Sequence, residues 1–79
     1  MTQHNKAFGK ILRVLRKQKQ YTQETLAFES GLDRTYVSLL ELGRRSPTLD
    51  TMMALCEPLG VSLSALCAYI EEEMINEHG

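Results

Sequence analysis

Arg34, Thr35, Tyr36 and Ser38 place four hydrogen-bonding side chains within five consecutive positions, and Arg44 and Arg45 follow in the same part of the chain. A guanidinium is a planar fork of donors that matches the O6 and N7 acceptors of a guanine edge, and equally the oxygens of a phosphate. For Arg34 a third use is pairing with the adjacent Asp33. The Thr35 hydroxyl can meet a base edge and its methyl a thymine methyl, unless it is simply solvated. The Ser38 hydroxyl can bond a phosphate, a base or its own backbone. Tyr36 lies outward on a helical register, where its hydroxyl can reach a phosphate or a base; core packing is the other use of an aromatic at such spacing. Arg44 and Arg45 suit phosphates, a narrow minor groove or open solvent. Catalysis is not indicated. His4 and His78 sit near opposite ends, and no cluster of nucleophile, base and orienting group, no metal-ligand spacing and no phosphate-cradling glycine loop occurs. The expectation is recognition without enzyme activity, metal, cofactor or small-molecule ligand.

Side chains of this kind need a scaffold that presents them together. From Gln23 to Leu42 the sequence QETLAFESGLDRTYVSLLEL reads as two short helices joined by a tight turn, a helix-turn-helix over about residues 22–42. Ala27 is small where the helices approach, Gly31 stands at the turn, and Val37 and Leu40 face inward. Such a motif usually carries side chains into the major groove of DNA. The neighbouring elements follow from periodicity and caps. Phe8, Ile11, Leu12 and Leu15 predict a first helix over about Asn5 to Gln18, with Lys10, Arg13 and Lys17 solvated. Thr22 caps the second helix, which ends at Ser30 and Gly31, and Asp33 caps a third over about Arg34 to Leu42, closed by Gly43. Thr48 caps a fourth, with Leu49, Met52, Leu55, Cys56 and Leu59 on its apolar side; Pro58 should end or distort its last turn, and Gly60 terminates it. Ser62 caps a fifth over about residues 62–75, with the stripe Leu63, Leu66, Cys67, Ile70 and Met74 and a fraying polar tail from Glu71 to Gly79. The fold class expected is all-α: five helices, no strands, one domain over residues 1–79.

A chain of 79 residues, 43% apolar and 24% charged, supports one globular domain with a modest core that a second copy would help. The net charge of −1 hides a division. Residues 1–45 carry all nine Lys and Arg against four acidic residues, a formal +5, while residues 46–79 carry six acidic and no basic residues, a formal −6. A polyanion is drawn to the first half and repelled by the second. No apolar run approaches the roughly 18 residues of a membrane span, and the N-terminus has no apolar signal core, so cytoplasmic placement is expected. Cys56 and Cys67 fit no metal or redox spacing and are expected to be reduced and buried.

From about Phe8 to Leu66 the chain resembles the Cro/repressor-type (XRE-like, lambda-repressor-like) helix-turn-helix family. The resemblance rests on LRxLRKxK (Leu12 to Lys19), TQxxLA (Thr22 to Ala27), SGLDRTYVS (Ser30 to Ser38), RRSPTLDT (Arg44 to Thr51) and LGVSLSAL (Leu59 to Leu66), in this order and spacing. The DRTYVS segment is most similar to controller proteins of restriction–modification systems, and is similar also to free-standing regulators of the family. The resemblance implies a lambda-repressor-like fold whose third helix is the recognition helix, with Arg34 as main base reader beside Thr35, Tyr36, Ser38 and Leu39. It implies backbone contacts from Gln23, Arg44 and Arg45, and an internal ion pair between Arg16 and Glu41 that ties the first helix to the third. It implies a twofold dimer through the last two helices, near Leu63, Leu66, Cys67 and Ile70; a purely intramolecular core is the other use of that stripe. There are departures. Leu39 and Leu42 stand where related motifs often carry Gly, Arg or another polar residue. Leu39 either faces the groove, toward a thymine methyl, or packs on a neighbouring helix, and Leu42 replaces a phosphate contact. Ala65 leaves the fifth helix without a capping box.

The function so implied is sequence-specific regulation of transcription by a homodimer on a near-palindromic double-stranded operator. Control of its own gene and contact with RNA polymerase are further implied features. A different class of function open to the same fold is a protein-interaction module, such as an antitoxin or a subunit of a larger regulator, that touches DNA weakly.

Overall fold

Each helix starts on the side-chain oxygen its sequence offers. Thr2, Thr22, Thr48 and Ser62 accept from the backbone N–H three residues on, and Asp33 from the N–H two residues on, at 3.0–3.2 Å. These bonds satisfy donors that a helix start otherwise leaves open. The computed structural model describes residues 2–78, and among them the elements are α1 (Gln3–Gln18), α2 (Gln23–Ser30), α3 (Arg34–Glu41), α4 (Leu49–Leu59) and α5 (Leu63–His78), with no strand.

Several boundaries differ from expectation for identifiable reasons. Thr2, outside the apolar stripe, supplies the cap that starts α1 two residues before Asn5. Pro58 does not end α4, which runs through it to Leu59 and closes at Gly60, the expected terminator, as a left-handed C-cap at φ 70°. The tail of α5 does not fray at Glu71 but stays helical to His78; Gly79 lies outside the described residues. The polar residues there are engaged by α1. Lys10 Nζ lies 2.8 Å from Glu73 Oε2, and the Gln3 amide reaches the Met74 carbonyl at 3.5 Å. Lys10, expected to be solvated, is thus hydrogen-bonded to Glu73, and that bond, with the charge behind it, raises its pKa above the ordinary lysine value.

All five helices feed one core, in which Leu12, Leu26, Leu40, Leu55, Leu66 and Val37 are essentially sealed from water. α1 lies across the end of α3 at very short range. A Cβ built on Gly9 would sit 2.5 Å from the Leu40 carbonyl oxygen and 2.6 Å from that of Glu41. Only glycine allows this approach, so the position of α3 is set partly by the absence of a side chain on α1. The α4 and α5 stripes face the core as expected except at Leu49 and Cys67. Leu49, assigned to the core side of α4, is 60% exposed, and Met53 is 52% exposed beside it. Leu66 is 1% exposed, a core residue, and Cys67 is exposed while Cys56 is buried. Burial pushes the Cys56 thiol pKa up, and the neighbouring Cys67 adds to it.

Candidate nucleic-acid interface

Three helix ends meet at one buried ion pair. Arg16, in the last turn of α1, bonds Glu41 at the end of α3 through Nε to Oε2 at 2.6 Å and Nη2 to Oε1 at 3.1 Å. The remaining guanidinium nitrogen, Nη1, donates to the Tyr21 carbonyl just before α2, at 2.9 Å. Glu41 Oε1 also accepts from the Gln23 amide at the start of α2, at 3.1 Å. The two charged side chains are 11% and 5% exposed. Burying two charges is expensive unless their bonding groups are filled. Here no buried side-chain polar atom among the described residues lacks a partner. The pair fixes α1, α2 and α3 to one another, and it neutralises a carboxylate that would otherwise repel phosphates.

So anchored, α3 shows its outward side to solvent. Val37 and Leu40 are buried. Thr35, Ser38, Leu39 and Leu42 recur at i, i+3, i+4 and i+7 opposite them, with Arg34 and Tyr36 on the flanks. Arg34 and Thr35 are exposed, and Arg34 makes no ion pair among the described residues. Asp33 is occupied capping the Thr35 N–H at 3.1 Å. Ser38 and Leu39 are half-buried. Tyr36 departs from its expected outward setting: it is half-buried, with its hydroxyl 3.2 Å from Thr51 Oγ1. That threonine belongs to the first turn of α4, so the bond braces α3 against α4 through a partner no sequence spacing reveals.

The helix stops at Glu41 with Leu42 as its C-cap, one residue short of expectation, because the next residues close it. Gly43, at φ 76°, donates to the Leu40 carbonyl at 3.1 Å, and Arg44 to that of Leu39 at 3.0 Å. This pair of bonds is a Schellman closure, which glycine permits at a left-handed position. It fixes where the chain leaves α3 and delivers exposed Arg44 and Arg45 beside its outward face.

Two short helices, a glycine turn and an outward second helix define a motif, and residues 12–66 match the family model described as helix-turn-helix. The chain belongs to the helix-turn-helix family. Within that family it is 42% identical over 67 residues to the control protein C.MunI of a Mycoplasma species, covering 84% of this chain and 90% of that one. The crystal structure of the restriction-modification controller protein C.AhdI from Aeromonas hydrophila matches with a TM-score of 0.76 at 44% identity, over 78% of this chain and 94% of the other. The controller protein C.Esp1396I, solved as a tetramer in complex with its natural 35 base-pair operator, matches with a TM-score of 0.86 at 28% identity, over 95% and 99% of the two chains. The likeness expected from DRTYVS is therefore borne out over most of the molecule.

Of the residues expected to meet DNA, Arg34, Thr35, Arg44 and Arg45 are exposed and Gln23, Ser38 and Leu39 are half-buried. The expected dimer residues are divided. Leu63 and Ile70 are half-buried and Cys67 is exposed, but Leu66 lies under α5 in the core and is not available to a second copy. Leu49 and Met53 were missed as surface residues, since a stripe of five apolar residues on α4 does not say which flank the core covers. Their exposure is the signal. Phe28 on α2, 83% exposed, was likewise not singled out.

Proposed function

We propose that this helix-turn-helix protein is a sequence-specific regulator that binds duplex DNA as a homodimer on a near-palindromic operator. The observation that carries the reading is the outward face of α3, locked in place by the Arg16–Glu41–Gln23 cluster and bordered by Arg34, Arg44 and Arg45. Arg34 reads a guanine, with Thr35 and Ser38 on neighbouring base edges or phosphates. Tyr36, its hydroxyl already engaged with Thr51, aims the recognition helix first and reaches DNA only at its edge. Arg44 and Arg45 grip the backbone, and the Gln23 amide keeps one N–H for a phosphate at the start of α2. The acidic second half of the chain stays away from the phosphates. The names of the relatives place them in restriction–modification control, and the operator complex of one of them supports the same mode of action here.

The second copy sits on a face built by α4 and α5. Leu63, Cys67, Ile70 and Met74 recur at i, i+4, i+7 and i+11, and Leu49 and Met53 stand outward on α4. Met52 and Ile70 share a recess of about 180 Å³ with His4, Asn5 and Phe8 of α1 and with Ser46 and Pro47 before α4. Residues 1–79 then act as a single domain that carries both contacts. A cytoplasmic setting follows from the DNA-binding reading; no single helix among the described residues is long and apolar enough to cross a membrane.

The test is fluorescence anisotropy with DNA from upstream of the protein's own gene, across a salt series, with scrambled duplex as control. Selective binding in steps of two subunits, weakening steeply with salt, is the expected result. Weak binding that ignores both sequence and salt would overturn the reading in favour of a protein-interaction module.

A further inference from the structure

The outward stripe of α3 changes character along its length. Its first half offers hydroxyls, Thr35 and Ser38; its second half offers only hydrocarbon, Leu39 and Leu42. Leu42 is 57% exposed although two exposed arginines, Arg44 and Arg45, follow it directly after Gly43. Leucine has no group that can hold a phosphate, and a base edge placed against it loses water without gaining a hydrogen bond. In a major groove, one feature of the base pairs repays contact with hydrocarbon, the 5-methyl group of thymine. We infer that Leu39 and Leu42 are specificity-determining residues that read thymine methyls in the same half-site where Arg34 reads guanine. The inference rests on the DNA-binding reading above and goes beyond it by naming a ligand atom.

The geometry bounds how many thymines are involved. Residues three apart rise about 4.5 Å along a helix, and successive base pairs about 3.4 Å along a strand. The two leucines therefore cover one thymine or two neighbouring ones. The contact also selects against the alternatives. The exocyclic amine of cytosine or adenine, or the O6 of guanine, would be stripped of water against a side chain that offers nothing in return.

Deoxyuridine differs from thymidine only by that methyl, so the first arm of the test leaves the protein untouched. A bound site is selected from a randomised duplex library, and each thymine in it is replaced in turn by deoxyuridine. Affinities of the wild type, Leu42→Ala and Leu39→Ala are measured by anisotropy. Removing a methyl buried against leucine is expected to weaken wild-type binding about fourfold at one or two thymines per half-site. At a thymine read by Leu42 the effect should vanish in Leu42→Ala, an exposed position where folding is not at stake. Selective binding with every deoxyuridine substitution neutral would overturn the inference and leave the DNA-binding reading standing. Deoxyuridine effects that persist undiminished in both variants would assign the methyls to another side chain and overturn it too. Failure of the library to yield any selected site would sink the DNA-binding reading and the inference together.

Discussion

Arg34 and Arg16 show how differently one side-chain type is used within a single small domain. Arg34 is exposed and uncommitted among the described residues, while every nitrogen of Arg16 is engaged in holding α3 in place. Their substitutions should therefore separate recognition from stability. Arg34→Ala is expected to leave the urea midpoint unchanged, to weaken operator binding by about 1–3 kcal/mol, and to relax discrimination at one guanine. Equal losses on operator and scrambled DNA would instead make Arg34 a phosphate contact. Glu41→Ala leaves the Arg16 guanidinium almost buried with one carbonyl partner, and is expected to destabilise the fold by about 3–5 kcal/mol in equilibrium urea unfolding. A loss below about 1 kcal/mol, the range of exposed pairs, would show that water reaches the site readily.

At the level of elements, the position of the recognition helix depends on contacts its own sequence does not contain. Gly9 lets α1 close onto the carbonyls of Leu40 and Glu41. A methyl there cannot be accommodated without moving one helix off the other, because the obstructing atoms are backbone. Gly9→Ala is expected to destabilise by about 1–3 kcal/mol, against the usual gain of placing alanine in a helix. Circular dichroism through a thermal ramp checks this, and unchanged stability would mean that α1 slides freely. The same distinction explains what could be read in advance. Thr22, Gly31, Asp33 and Thr48 are local signals, so α2, α3 and the turn between them were legible from sequence. The stripes of α4 and α5 announced helices and most of the core but not where its edge would fall, so Leu49 and Cys67 were misplaced and Leu66 belongs to the core alone. The tail of α5 read as frayed because Lys10, which pairs with Glu73, lies 63 residues away in sequence. Arg16 and Glu41 came from family resemblance, since nothing local relates residues 25 apart. The cysteines test how α4 and α5 face the core. Cys56 is buried with its pKa pushed up, so its thiolate is scarce at neutral pH, whereas Cys67 is exposed. Native protein diluted until it is monomeric, so that no second copy covers Cys67, should incorporate one equivalent of a maleimide, at Cys67 by peptide mass, and unfolded protein two. Equal native labelling of both would place Cys56 at the surface.

For the whole molecule, one copy carries one recognition helix, and two half-sites about 34 Å apart need two. The dimer is thus where specificity is completed, and the α4–α5 face proposed for it is the place to test. Met53 is suited to this because it is half-exposed in the monomer and its loss spares the core. Met53→Glu adds a carboxylate to an apolar strip that already adjoins the acidic half of the chain. Across a twofold axis the substitution appears on both sides of the contact, so desolvation and like-charge repulsion act together. The variant should melt as a folded protein yet sediment as a monomer at concentrations where the wild type is dimeric. On DNA it should lose the two-subunit step and keep only the weak, salt-dependent affinity of a single helix-turn-helix. If it remained dimeric with full operator affinity, the second copy would have to dock elsewhere. If it became monomeric and still bound the operator as tightly as wild type, one recognition helix would be enough and the operator would not be a palindrome.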